Sequence, residues 1–231
     1  MQFDRLKLLI GDKLNKLENS TVLILGLGGV GGSALEALTR SGIGSFILID
    51  NDKIDITNLN RQVISNLENI GNYKVDEWEK RIKSINPNAK IIKIKEFITS
   101  ENINKLLDYN FEYAIDACDT ICTKKEFIKL CLRNNKKFIS CMGTGKKFHP
   151  EKLEVIDLSK TSYDPIAKKL RQMIKDEKII GKIPVLYSKE IPMKIESKVI
   201  GSNAFVPSVA GIMCSKYIFD LIVGDKDEKN N

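Results

Sequence analysis

The sequence predicts an α/β fold: a Rossmann-like, doubly wound and mostly parallel sheet with helices on both faces, followed by a smaller β-rich carboxyl-terminal extension. Three observations lead to this class. Short apolar runs alternate with segments of helical periodicity, as in parallel α/β sheets. A glycine-rich turn joins the first such pair. The 231 residues, 42% of them hydrophobic, suffice for one large domain with a modest appendage.

The elements divide the chain into four parts. Residues 1–20 form an amino-terminal helical segment, because apolar residues recur at helical spacing on both sides of Gly11. The main domain, 21–145, has predicted strands over 22–25, 45–49, 90–95, 112–116 and 137–141, and helices over 30–39, 73–85, 100–107 and 121–134. The extension, 146–223, has a predicted strand over 153–157, helices over 163–176 and 207–222, and β-rich stretches over 183–187 and 199–200; a polar tail follows over 224–231.

Composition excludes several classes of protein. No apolar run approaches the roughly 18 residues that span a bilayer, and the amino terminus lacks a secretory layout, so we expect a cytoplasmic protein without membrane association. Five cysteines, an odd number, do not indicate a disulfide framework. The net charge of +7 is concentrated in two stretches: residues 146–171 hold seven basic against four acidic side chains, and residues 120–137 hold six against one. Such stretches indicate a polyanionic partner or simply solvated helix faces.

The glycine-rich turn is the first candidate site. Gly26, Gly28, Gly29 and Gly31 follow a predicted strand and open a helix, where backbone N–H groups can approach a phosphate closely. Asp50 lies 22 residues after Gly28, at the end of the second strand, where a carboxylate accepts hydrogen bonds from ribose hydroxyls. These features alone fit NAD as well as ATP, and a turn that only packs helix against strand is the remaining alternative.

The next polar residues favour ATP. Arg61 and Lys74 can both reach a triphosphate, and Asp119, after the strand 112–116, can hold Mg²⁺ against it. Attack of a carboxylate on the α-phosphorus builds charge that cations stabilise, by roughly 3–4 kcal/mol for one well-placed contact. Beyond the glycines, the nucleotide-binding candidates are Asp50, Asp52, Asn58, Arg61 and Lys74.

This set resembles the adenylating superfamily that includes ubiquitin-activating enzymes and bacterial activators of sulfur-carrier proteins. The matching stretches are Asp50-Asn51-Asp52, Thr57-Asn58-Leu59-Asn60-Arg61-Gln62, Lys74 and Asp116-Ala117-Cys118-Asp119. The resemblance implies that Asp50 binds the ribose, that Asp119 binds magnesium, and that the phosphates are bound by Asn58, Arg61 and Lys74. In the family an arginine from the second subunit's amino-terminal helix also reaches the phosphates. Arg5 matches it, which implies a homodimer and a fourth catalytic residue beside Arg61, Lys74 and Asp119.

The cysteines bear on which acid is activated. The chain has no Cys-x-x-Cys pair, so we predict no structural zinc. A thioester would need an exposed, activated thiol, whereas Cys118 and Cys141 end apolar strands, and Cys131 and Cys214 fall among apolar helical neighbours. The single histidine, His149, precedes Pro150 in a predicted loop. An enzyme without an evident thiol can use a nucleophile within its own substrate.

The second half resembles the bacterial tRNA threonylcarbamoyladenosine dehydratases. The matching stretches are Met142 to Pro150, Asp157 to Thr161 with Asp164-Pro165, Tyr187 to Glu190, Gly201-Ser202 and Phe205 to Gly211. The resemblance implies that ATP and Mg²⁺ adenylate the threonyl carboxylate of the modified adenosine beside the anticodon, and that a group of the same nucleoside displaces AMP with net loss of water. A monovalent cation and a sulfurtransferase-type accessory protein are further candidates. The expected contacts to tRNA phosphates are Lys146, Lys147, Lys160, Lys168, Lys169 and Arg171.

Two other functions stay open at this point. The chain could activate the carboxyl terminus of a small sulfur-carrier protein, with one of its cysteines as acceptor. It could also be a non-catalytic domain that senses a nucleotide, in which case ATP would bind without formation of AMP.

Overall fold

In the computed structural model, which describes residues 2–197 and 199–224, seven strands form one sheet. Their order is β3-β2-β1-β4-β5-β7-β6, and β6 runs antiparallel to β7 while the other neighbouring pairs are parallel. The mostly parallel, doubly wound sheet is therefore confirmed, and the two strands of the extension continue it. The strands are β1 (Thr21–Leu25), β2 (Ser45–Ile49), β3 (Lys90–Ile94), β4 (Tyr113–Asp116), β5 (Lys137–Cys141), β6 (Leu153–Asp157) and β7 (Pro184–Ser188).

Within the part of the chain that the structure describes, seven α-helices accompany the sheet, with short 3-10 turns between them. The helices are α1 (Asp4–Ile10), α2 (Leu14–Glu18), α3 (Gly29–Arg40), α4 (Lys74–Ile85), α5 (Ile121–Arg133), α6 (Pro165–Asp176) and α7 (Phe205–Val223). The 3-10 turns span Gly11–Lys13, Ile56–Asn58, Leu67–Asn69, Ile103–Asp108, Pro150–Lys152 and Leu158–Lys160.

Alternate residues of each strand supply two separate cores, because successive side chains point to opposite faces of a sheet. On one face, Val22 and Ile24 of β1 pack with α3, α4 and α7 around Trp78. On the other face, Leu23 and Leu25 pack with α5 and α6. Both faces of the parallel strands are thus covered, and the ends of the strands are left to form the functional surface.

Two predicted elements differ from what the structure contains. The helix expected over 100–107 is only the 3-10 turn Ile103–Asp108, because the Asn102 side chain accepts from Thr99 N at 2.7 Å and donates to Phe97 O, which competes with regular helix formation. The β-rich stretch at 199–200 is a loop whose neighbouring Gly201 carbonyl accepts from Lys146 N at 2.8 Å. That loop therefore joins the segment after β5 instead of a strand.

The last helix, α7, is long and apolar enough to cross a membrane by length and composition. Half of that apolar window is buried inside the protein, where α7 packs closely on α3: a Cβ added to Gly211 would lie 2.2 Å from Val30 O. The apolar side chains of α7 thus form part of the hydrophobic core. Residues 225–231 of the predicted polar tail lie outside the described residues.

Candidate nucleotide site

A cleft of about 380 Å³ lies at the carboxyl ends of β1, β2 and β4. This is the point where the strand order reverses, since β1 lies between β2, which leads to one edge, and β4, which leads to the other. In open α/β sheets the connections on either side of such a switch point diverge and leave a crevice for a ligand. Residues from nine separate segments line it, including Gly28, Asp50, Arg61, Lys74, Asp119 and Thr144.

Two glycines allow the phosphate-facing turn between β1 and α3. Gly26 has φ +89°, and a Cβ there would lie 2.9 Å from Ala117 O. A Cβ on Gly31 would lie 1.8 Å from Gly26 O, so no side chain fits between turn and helix. Gly28 is the N-cap of α3 and Gly29 its first residue, which leaves the helix amino terminus open to the cleft.

Asp50 lies directly after β2 and braces this turn. Its Oδ2 accepts from Leu27 N at 2.7 Å and its Oδ1 accepts from Asp52 N at 2.8 Å. Burial raises the pKa of this carboxyl above its ordinary value, against the opposing effects of Lys74 and the two N–H donors. Each carboxylate oxygen has a second lone pair, so the side chain can still accept from a ligand hydroxyl.

Lys74 is the first residue of α4, and its side chain lines the cleft. Its side chain is 5% exposed, and Nζ lies 2.7 Å from Asp52 Oδ2 and 3.9 Å from Asp50 Oδ2. A buried ammonium needs such partners because desolvation otherwise disfavours its charge. The pairing fixes a positive charge in the cleft wall next to the two predicted aspartates.

The turn after β2 brings three polar side chains to the opposite wall. Asn58 Oδ1 accepts from Asp55 N in a capping box, which leaves its amide N–H groups for a ligand. Arg61 is half-buried, and its Nη1 donates to Thr57 O at 2.7 Å. Gln62 is buried in the cleft, and its Oε1 has no hydrogen-bond partner among the described residues. No role was predicted for Gln62, although it follows Arg61 directly in the quoted motif.

Asp119 lies exposed at the cleft mouth, on the loop after β4. The loop is held from beneath by Asp116, whose Oδ1 accepts from Cys118 N at 3.1 Å and whose Oδ2 accepts from Lys124 Nζ at 3.1 Å and Ser140 Oγ at 2.5 Å. Burial alone would lower the pKa of the Lys124 ammonium, but Asp116 raises it to a net value above the ordinary one. Sequence reasoning missed this support, because Lys124 looks like one more surface cation.

Cys118 also lines the cleft, but not as an activated thiol. Burial, and then the negative charge of Asp116, raise the pKa of Cys118 well above its ordinary value. Burial likewise raises the pKa of Cys131, and Cys141 and Cys214 are buried as well. Only Cys122 of the five is exposed. Within residues 2–197 and 199–224, no three His, Cys, Asp or Glu side chains are grouped to hold a metal ion.

The segment after β5 and the carboxyl-terminal part together supply a third wall that the sequence did not assign. Thr144, Ser202 and Pro207 line the cleft, and Ser202 O accepts from Asn60 Nδ2 at 3.0 Å. All three fall in stretches quoted above for their resemblance, which is the signal that could have identified them.

The remaining predicted residues lie elsewhere. Arg5 is exposed on α1 and does not line the cleft of its own chain, and His149 is exposed with Nδ1 2.8 Å from Glu151 Oε1. Lys147 is a correction: its side chain is 1% exposed and its Nζ lies 2.8 Å from Asp164 Oδ2, so it cannot contact a tRNA phosphate. Arg171 is half-buried and donates to the carbonyl and hydroxyl oxygens of Thr161. Exposed side chains are found at Lys160, Lys168 and Lys169, while Lys146 is half-buried.

Comparison with known proteins agrees with this geometry. The ThiF family model matches residues 2–231. The tRNA threonylcarbamoyladenosine dehydratase of Bacillus subtilis is 43% identical, with 96% of this chain and 94% of the relative covered. The Escherichia coli dehydratase is 36% identical over 73% of this chain and 63% of its own length. The crystal structure of that E. coli enzyme in complex with ATP superposes with a TM-score of 0.91 at 29% identity, with 99% of this chain and 96% of that chain covered.

Proposed function

The chain belongs to the ThiF family, and on that premise we propose that it is an ATP-dependent tRNA threonylcarbamoyladenosine dehydratase. The observation that supports this most is the cleft at the switch point, in which an open helix amino terminus, Lys74, Arg61 and Asp119 surround one space. A similar fold binds ATP in the E. coli dehydratase structure. Anion-binding N–H groups together with two cations are what an attack on a phosphate requires.

The reaction has two steps. A carboxylate oxygen of the threonyl group attacks the α-phosphorus of ATP, and the bond to the β-phosphate oxygen breaks, so that pyrophosphate leaves. A group of the same nucleoside then attacks the acyl carbon and loses its proton, while the former carboxylate oxygen departs in AMP. The nucleoside therefore loses the elements of water, and no enzyme thiol takes part. The raised pKa of Cys118 supports this route over a thioester.

We assign the cleft residues by the chemistry they can supply. Asp50 accepts from the ribose, and the glycine turn with Asn58, Arg61 and Lys74 binds the phosphates. Asp119 is exposed and accepts a 3.3 Å hydrogen bond from Thr120 Oγ1, so its carboxylate can still hold Mg²⁺, which binds nucleotides through one or two carboxylates plus the phosphates. The ion would neutralise charge on the leaving pyrophosphate.

A second copy of the chain completes the proposed site. The exposed side of α1 carries Leu8 and Leu9, which are 87% and 83% exposed, and no residue of α1 is buried. Apolar side chains this open support a covering subunit. In a homodimer Arg5 would reach the cleft of the second subunit. This agrees with the observation that Arg5 does not line the cleft of its own chain.

The tRNA would lie against those lysines of the extension that are exposed or half-buried. Lys146, Lys160, Lys168 and Lys169 remain as phosphate contacts, with Arg171 restricted by its bonds to Thr161. A cytoplasmic location is part of this proposal, since the relatives that support it are named as tRNA-modifying enzymes. A monovalent cation and a sulfurtransferase-type accessory protein stay predictions.

Mass spectrometry of tRNA nucleosides tests the proposal. The protein is incubated with ATP, Mg²⁺ and tRNA that carries threonylcarbamoyladenosine, and the expected product is that nucleoside less one water, with one AMP released. Sulfur-carrier proteins serve as the comparison substrates in an ATP–pyrophosphate exchange assay. Exchange with a carrier protein and not with the modified tRNA would overturn the assignment.

A further inference from the structure

An ion pair lies buried behind the third wall of the cleft, and the proposed function does not use it. Lys147 Nζ donates to Asp164 Oδ2 at 2.8 Å and to Gly143 O at 2.6 Å, and both side chains are 1% exposed. The other oxygen, Asp164 Oδ1, accepts from Ala167 N and caps α6. Burying an ion pair costs free energy unless its remaining N–H groups and lone pairs also form hydrogen bonds. Here the Gly143 carbonyl accepts from one of the Lys147 N–H groups.

The contact with Gly143 acts on Thr144, because the Gly143 carbonyl and the Thr144 N–H belong to one peptide group. The peptide is trans, so the Thr144 N–H points away from Lys147. A carbonyl that accepts from an ammonium polarises its amide and makes the N–H a stronger donor. Within the described residues neither the Thr144 N–H nor its hydroxyl has a hydrogen-bond partner, and Thr144 lines the cleft.

The surrounding segment holds Thr144 in place. On its carboxyl side, Lys146 N donates to Gly201 O, and Lys146 O accepts from Met193 N, both at 2.8 Å. Further along, the buried Glu190 carboxylate accepts from the N–H groups of Phe148 and His149 at 2.9 Å. With the Lys147 contact on Gly143, Thr144 is held from both sides, and this cleft-lining residue carries two donors without a partner among the described residues.

We propose that the Thr144 N–H and hydroxyl form a subsite for the carboxylate of the acid substrate, and that Lys147 is a positioning residue that polarises this peptide. The inference rests on the proposed function and adds where the acid binds. The two donors hold the carboxylate as one oxygen attacks the α-phosphorus. They then stabilise the charge on the acyl oxygen when the ring-closing group attacks and AMP leaves.

Thr144→Val tests the hydroxyl, since valine keeps the side-chain shape. The expected result is a rise of about tenfold or more in the KM for modified tRNA in pyrophosphate exchange, with an unchanged calorimetric Kd for ATP. Thr144→Ser should restore the KM. Lys189→Met is the control within the extension, because Lys189 is an exposed cation that pairs with Glu154 and does not line the cleft.

Lys147 is tested by neutralising the pair as a whole. Lys147→Met alone would leave the Asp164 carboxylate buried without a cationic partner. Lys147→Met combined with Asp164→Asn removes both charges, and asparagine can still cap α6. The double variant should keep its thermal transition near that of the wild type while kcat falls about tenfold or more, since polarisation of the peptide is lost.

The outcomes separate this subsite from the function it rests on. If wild-type protein gives no exchange with modified tRNA, the proposed function fails. If the wild type is active and Thr144→Val retains its KM and kcat, the hydroxyl has no part in binding the acid, and the subsite is overturned. A folded double variant with wild-type kcat would overturn the role of Lys147.

Discussion

Cationic side chains of the nucleotide domain are mostly paired with carboxylates, whereas those of α6 and the turn before it are not. In the domain, Arg40 and Arg81 contact Glu36, and Lys93 and Lys95 contact Asp76. On α6 and the turn before it, four exposed lysines form no salt bridge within the described residues: Lys160, Lys168, Lys169 and Lys175. Free and paired cations look alike in a sequence, but only the free ones attract a polyanion at full strength.

This difference decides between the two basic stretches of the sequence. Of residues 120–137, Lys124 is buried against Asp116, and Lys125 and Lys129 both contact Glu177 on the segment after α6. Three of the six cations in that stretch are therefore paired with carboxylates within the protein. The stretch 146–171 keeps its exposed lysines, so it is the surface that we expect to meet tRNA phosphates.

Lys74→Met should have the largest effect. It removes a buried cleft cation and leaves Asp52 unpaired, so we expect adenylation to fall by about 10²–10³-fold. Lys95→Met is the matched control, because Lys95 is 42% exposed and pairs with Asp76 outside the cleft. The measurement is the rate of AMP formation with modified tRNA, and equal rates for the two variants would remove the distinction between cleft and surface cations.

The next effect tests whether Arg5 acts from the second subunit. Arg5→Ala and Asp119→Ala should each lose most adenylation activity. When the two variants are mixed and allowed to exchange subunits, about a quarter of wild-type activity should return, because half of the random dimers contain one intact site of two. Activity that stays absent after confirmed subunit exchange would place Arg5 outside the site.

A smaller effect is expected from the free cations. Lys168→Gln with Lys169→Gln should weaken tRNA binding several-fold and lower the slope of log affinity against log salt by about one per lost contact. Lys125→Gln with Lys129→Gln neutralises the same charge on α5, where both cations are already paired. Filter binding of tRNA over a salt series measures the slope for each of the two double variants. Equal slopes would show that salt bridges within the protein do not change how strongly these cations contribute to tRNA binding.

How far the sequence could predict the site depends on how local the deciding contact is. Asp50 and Asp119 were identified because each follows a buried strand, and parallel strands deliver their carboxyl ends to one edge. Lys147 was misassigned because Lys146 and Lys147 look equivalent, and burial of the second depends on Asp164, 17 residues away. The unpaired Gln62 amide and the Thr144 donors likewise depend on segments that meet only in the folded chain.

The same reasoning applies to the fold. Strands and helices with strong periodicity were placed to within one or two residues, since burial on both faces of the sheet requires that pattern. The stretch 100–107 was predicted as a helix, but Asn102 bonds to the nearby backbone and leaves a 3-10 turn. Side-chain bonds of this kind override periodicity over a short segment.

The smallest effect is expected for Cys118, although it lines the cleft. Because burial and Asp116 raise its pKa, the thiol stays protonated at neutral pH, and ring closure within the nucleoside needs no thiolate. Cys118→Ala should therefore retain AMP formation and the dehydrated nucleoside at close to the wild-type rate, because the thiol supplies no step of the reaction. Mass spectrometry after iodoacetamide treatment at pH 7.5 should find the exposed Cys122 alkylated and Cys118 unmodified, with Cys118 reacting only as the pH rises beyond the ordinary thiol range. Loss of turnover in Cys118→Ala, with ATP binding intact, would instead favour a covalent thioester and return the sulfur-carrier alternative to first place.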